Sequence, residues 1–315
     1  MNFESVEKIA AAILYEGYIL YPYRPTAVKN RQRWNFGTLY PQIYAEAQRP
    51  AETYRLVAEC LAVADGQATL DVKIRGLQLV RPPTAPSTTG HDLVDPSLAW
   101  DEAVERAWVH SDLRWKDLIA SPFVSELTLA DDSAERLRAV LRIAAEQLED
   151  GVCKLRVEFA NTSAIADGAE RREVLLRSFV SAHVLLGIEG GEFASLLEPE
   201  KRCSSLVAGC CNVGVFPVLV GEEPERSMML CSPIILYDYP KIAPESEGDF
   251  FDGTEMDEML TLRVLTLTDT EKREMRAGDA RARRILERTE LLTEETMLKA
   301  HGVVRGLREI REEGI

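Results

Sequence analysis

Aromatic and basic residues crowd one short stretch near the start of this chain. Tyr18, Tyr21, Tyr23, Arg24, Lys29, Arg31, Arg33, Trp34 and Phe36 follow closely on Tyr15, and from Arg24 to Arg33 there are four basic residues and no acid. Stacking rings beside cations can grip single-stranded nucleic acid or an anionic cofactor. Tyr, Trp and Arg are also the residues that dominate protein interface energetics, so a partner-docking surface is a second use for the strip. Packing within the chain, partly by pairing with acidic segments elsewhere, is the third.

A second group is acidic. From Glu245 to Glu258 there are seven acids and no base, among them Asp252, Glu255, Asp257 and Glu258. Closely spaced carboxylates can hold a hard divalent cation or divide acid and base roles. Their spacing is not that of an EF-hand loop, and acids before a helix are also explained by the positive end of the helix dipole. Asp238, flanked by Tyr237 and Tyr239, lies where an apolar run ends and is a third candidate.

The six cysteines are Cys60, Cys153, Cys203, Cys210, Cys211 and Cys231. None forms a Cys-x-x-Cys pair, and a chain of this length and apolar content suits thiols better than a disulfide framework. Cys203 to Cys231 are near enough in sequence to share a site, but an iron–sulfur cluster takes four well-placed thiolates. The four histidines are far apart. Phosphate-binding glycine loops, the Gly-x-Ser-x-Gly elbow and the His-Glu-x-x-His helix are all missing from the sequence. No particular cofactor is indicated.

The elements that must position these groups read as follows. The 315 residues carry 37 Lys and Arg against 52 Asp and Glu, a formal net charge of −15, which argues against coating nucleic acid or an anionic membrane. Hydrophobic residues make up 46%, enough for a packed core. No run approaches the ~20 apolar residues of a spanning helix, and the first residues lack a secretory pattern. The expectation is a cytoplasmic protein. Residues 4–15 suit a short helix. Alternation at Tyr54, Leu56, Ala58, Cys60, Ala62 and again at Leu70, Val72, Ile74, with Asp65-Gly66 between, predicts a hairpin over 53–80. A parity slip at Gly76 predicts a β-bulge. A second hairpin is expected over 138–160 around Asp150-Gly151, and further strands over 173–188, 192–197, 213–220 and 228–237. Residues 81–97, rich in proline, read as a long loop. Gly187 to Gly191 reads as a strand bend. Capping boxes at Thr254–Asp257 and Thr268–Glu271 open helices beyond Pro240. The expected fold is α+β: a mainly antiparallel, sandwich-like β core over 1–240, and an acidic connector with a helical appendage over 241–315.

Three segments carry a likeness to a known family. They are Tyr15 to Arg24 running on to Lys29–Gly37; Ser232 to Pro240 with Ala243–Ser246; and Asp252 to Glu258 continuing through Thr266–Asp269 and Lys272–Arg276. Together they resemble a bacterial family of uncharacterised proteins associated with gene neighbourhoods of NiFe hydrogenases. The likeness covers both ends of the chain, and the middle from 81 to 170 does not contribute. It implies an accessory role in assembling or maturing a large metalloenzyme, with a hydrogenase subunit or maturation factor as partner, and assigns no catalytic residue. A second copy of the chain is a further candidate partner. The alternatives are a metal-dependent enzyme using Asp238 with the Asp252–Glu258 carboxylates, and a single-stranded nucleic-acid binder.

Overall fold

The structure, a computed structural model, describes residues 3–16, 20–23, 30, 36–80, 101–129, 137–149, 151–242, 257–277 and 280–292. The chain divides into two compact units. One comprises Met1–Tyr18 with Gln32–Lys241, the other Ile19–Arg31 with Ile242–Ile315.

The first unit is built on β1 (Arg55–Val80), a strand of 26 residues. Its first half, Arg55–Val63, pairs antiparallel with β5 (Val152–Asn161), and its second half, Thr69–Val80, pairs with β2 (Glu102–Arg114). Along the other edge runs β6 (Phe179–Phe193). The hairpin expected over 53–80 is therefore one continuous bent strand. Neither Asp65 nor Gly66 adopts the left-handed conformation that a tight Asp-Gly turn requires. Instead Asp65 Oδ1 accepts from the N–H groups of Gln67 (2.7 Å) and Ala68 (3.0 Å), and the β1–β6 register shifts between Ala64 and Thr69. Alternation fixed the strand and its inner face, but the partners of the two arms are β5 and β2 rather than each other.

Leu56, Ala58, Cys60 and Ala62 from one half of β1 and Leu70, Val72 and Ile74 from the other enter the same core. Trp108, opposite Ile74, lies 6.0 Å from the ring of Phe159, opposite Leu56. Both rings meet Phe179, at 5.7 and 5.0 Å. The bend thus brings the two halves of β1 to face each other across these rings. Burying such aromatics contributes on the order of 2–3 kcal/mol each. Helix α3 (Trp115–Ala120) drops the fully buried Trp115 and the buried Leu118 into the same core from between β2 and β3 (Phe123–Leu129).

β4 (Leu137–Gln147) and β5 form the expected second hairpin, with Leu137, Ala139, Leu141, Ile143 and Ala145 facing the core on one arm. Gly151 is left-handed there, with φ 75°. The Gly76 bulge is present: the β1–β6 register shifts between Arg75 and Leu77, where a Cβ on Gly76 would lie 3.2 Å from the Val180 carbonyl. The glycine-rich bend lies within β6. Shorter elements complete the unit: α2 (Gln42–Ala47), α4 (Arg171–Leu175), α5 (Ser204–Val207), β7 (Phe216–Leu219) and β8 (Met228–Ser232). The strands expected over 173–188 and 192–197 merge into the one strand β6, whose ends are set by the helix at 171–175 and by 194–197 leaving the sheet, and those expected over 213–220 and 228–237 shorten to β7 and β8. The eight strands among the described residues belong to one antiparallel sheet of order β3-β4-β5-β1-β6-β8-β7, with β2 on β1. On the opposite face from the main core, α1 (Glu4–Leu14) lays Val6 and Ala10 against Leu185, Val218, Val220 and Leu230. The fold is α+β with an antiparallel β-rich body, as expected.

In the second unit, α6 (Asp257–Leu265), α7 (Asp269–Ala277) and α8 (Ala280–Leu291) bury Leu260, Val264, Met275, Ala282, Ile285 and Leu286. The capping box at the start of α7 is formed: Glu271 Oε2 accepts from the Thr268 N–H at 3.0 Å, and Thr268 Oγ1 accepts from the Glu271 N–H at 3.3 Å. The box expected at Thr254, and the loop over 81–97, lie outside the described residues. Residues 19–31, expected in the β core, group with this helical unit.

Candidate functional site

A cleft of about 420 Å³ opens on the first unit, lined by Phe36, Gly37, Thr38, Leu39, Tyr40, Glu52, Thr53, Gly214, Phe216 and Pro233. Its floor is an extended segment stitched to the start of β6. Leu39 and Phe179 exchange backbone hydrogen bonds of 2.7 and 3.2 Å, the Ala182 N–H donates to Gly37 O, and the Tyr40 N–H donates to Thr53 O. The fully buried Asn161 holds the segment from beneath, donating from Nδ2 to the carbonyls of Leu39 (2.8 Å) and Arg177 (2.9 Å). Gly37 is left-handed at φ 53°, and a Cβ there would fall 2.7 Å from the Pro233 ring. Only glycine lets these two walls approach so closely.

The cleft's chemistry is mixed. Phe36 and Phe216 supply aromatic surface, and Phe216 is 42% exposed. Glu52 is exposed and, among the described residues, pairs with no cation. Tyr40 is buried; desolvation pushes its hydroxyl pKa up, with Arg171 opposing from 5.8 Å over the ring, so the phenol stays neutral.

The predicted residues fall in different places. Phe36 lines the cleft. Tyr23 is fully buried, so its ring packs inside the chain rather than meeting a partner. Tyr21 meets Tyr23 edge-on at 6.0 Å and receives the Arg263 guanidinium over its ring at 5.5 Å, within the helical unit. Tyr18, Arg24, Lys29, Arg31, Arg33 and Trp34 lie outside the described residues, as do Asp252 and Glu255. Asp257 and Glu258 open α6, and their side chains are outside them too. Among the described residues no three His, Cys, Asp or Glu side chains gather as a metal site.

Asp238 acts as a clasp. Its Oδ2 accepts from Ser195 Oγ at 2.5 Å and its Oδ1 from the Leu219 N–H at 2.7 Å. Ser195 Oγ in turn accepts from the N–H groups of Leu197 and Glu198. This ties the segment after β8 to the sheet, and the carboxylate is committed to that task. All six cysteines are free thiols. Burial pushes the thiols of Cys60 and Cys231 well up and that of Cys210 to about 11, which keeps them protonated and poor as nucleophiles or ligands. Cys210 and Cys211 follow α5 in irregular backbone ahead of β7.

His183 is fully buried on β6, opposite Arg75. Its Nδ1 lies 2.6 Å from Ser181 O, and Ser181 is itself left-handed at φ 51°. Desolvation lowers the imidazole pKa to about 4, with Arg75 adding to the shift.

No known protein family matches the chain, and no curated protein matches it. Sequence reasoning missed Glu52, Thr53, Gly214 and Phe216. They are scattered along the chain in no motif, and only the packing of 36–40 against β6 assembles them.

Proposed function

We propose that this protein is an accessory binding protein that docks a partner through the cleft at Phe36 and Phe216, in the assembly or maturation of a hydrogenase-type metalloenzyme. The observation that carries the reading is the cleft itself: an open, mixed aromatic and polar recess containing one residue of the aromatic strip, with Phe216 left 42% exposed at its rim. Large aromatics at a recess are the groups that anchor protein partners. The segment leading from Pro233 adds Ile235 and Tyr237, which are 73% and 87% exposed. The proposed partner is a hydrogenase subunit or maturation factor, and the proposed location is the cytoplasm, where six free thiols remain reduced. The test is capture from the native host with tagged wild-type protein and the Phe36→Ala/Phe216→Ala double variant. Hydrogenase subunits enriched by wild type and lost with the variant support the reading. Equal recovery of those subunits, or none with either bait, refutes it.

A further inference from the structure

Resting on that docking reading, we infer that the cleft's occupant is an extended segment of a partner protein that places a lysine or arginine side chain against Glu52 and the rings of Phe36 and Phe216. The lining contains one carboxylate and no cation. Glu52 is unpaired among the described residues, so an incoming ammonium or guanidinium displaces no existing ion pair. Aromatic faces attract the same cations through their quadrupole. Tyr40 contributes a neutral phenol, and the Arg171 guanidinium, which lies over its ring at 5.8 Å, is not part of the lining.

Two further features favour a polypeptide over a free small cation. Gly214 lines the cleft with φ 70°, and a Cβ there would meet nothing nearer than 3.9 Å, so its bare backbone is open to the approach of a second main chain. The volume of about 420 Å³ lies at the low end of ligand pockets, suited to one long side chain with its flanking backbone rather than a large cofactor. The net charge of −15 adds long-range attraction for a basic partner.

The test uses two short capped peptides, one with lysine between leucines and one with norleucine in its place, titrated into the full chain and followed by amide NMR shifts. The lysine peptide is expected to shift the amides of Gly37, Thr53 and Gly214 and to bind about tenfold more tightly than the norleucine peptide. Glu52→Gln should cut that preference to about threefold or less, the remainder being the attraction of the rings, and leave the norleucine peptide unchanged. Glu52 is exposed, so this variant keeps the fold, which a thermal melt verifies. Equal binding of the two peptides, a lysine preference that stays at about tenfold in Glu52→Gln, or shifts confined to other surfaces overturns the inference. If host partners depend on Phe36 and Phe216 while Glu52→Gln leaves their capture intact, the cation assignment falls and the docking reading stands. If neither substitution matters, both fall.

Discussion

Mild acid should destabilise the β body through protonation of His183, and the size of the effect follows from its burial. The folded imidazole takes up a proton near pH 4, against 6.5 for the unfolded chain. Between those values the unfolded state binds more protons, so stability is complete above pH 6.5 and falls as pH drops toward 4. A gap of two and a half pH units corresponds to about 3 kcal/mol in full, of which about 2.5 kcal/mol is lost by pH 4.5. The physical source is the loss of hydration on burial, which outweighs the Ser181 carbonyl's preference for the charged ring, with the Arg75 guanidinium adding a smaller opposition to a second positive charge. Urea unfolding at intervals from pH 7.5 to 4.5 would measure the loss. Running His183→Gln in parallel cancels the carboxylates common to both proteins. The wild-type curve should fall below the variant's trend by about 2.5 kcal/mol at the acid end. A difference that stays flat to within about 0.5 kcal/mol, or a native imidazole seen by NMR to titrate at its ordinary value, would refute the argument.

Other perturbations test other links. Gly37→Ala should destabilise the protein by about 1–3 kcal/mol and reshape the cleft, because it forces a Cβ into a left-handed position 2.7 Å from Pro233; thermal melts and peptide titration report the two effects. Asp238→Ala leaves the Leu219 N–H and Ser195 Oγ without their acceptor and should cost about 1–3 kcal/mol, with faster proteolysis after Tyr237 as the local sign. Cys211 is the one exposed thiol, so brief alkylation of native protein should label it ahead of the other five, as peptide mass spectrometry would reveal. Early labelling of Cys60 or Cys231 would contradict the packing of the core.

Period-two patterning made the β class legible, along with the 138–160 hairpin and the Gly76 bulge, since each depends on local alternation and one glycine. The same patterning misread 53–80. Alternation specifies which face of a strand is buried but not which neighbour pairs with it, and β5 and β6 arrive from distant sequence. Helices α3 and α4 escaped notice because, at six and five residues, neither is long enough to show a helical period. Of the aromatic strip, composition could not separate a ring that packs, Tyr23, from one that lines a cleft, Phe36. That distinction arises only when 36–40 is laid along β6 over Asn161.

The helical unit is discontinuous in sequence, drawing on 19–31 as well as 242–315. During synthesis the earlier piece leaves the ribosome with nothing to complete it, and it must wait until the whole β body and the later piece have emerged. A protein truncated after Lys241 would therefore carry an orphaned fragment rather than a clean body, and expressing the helices from 242 onward alone would omit part of their own unit. Any dissection of this molecule has to cut at three places, after Tyr18, Arg31 and Lys241, and rejoin, rather than cut at one.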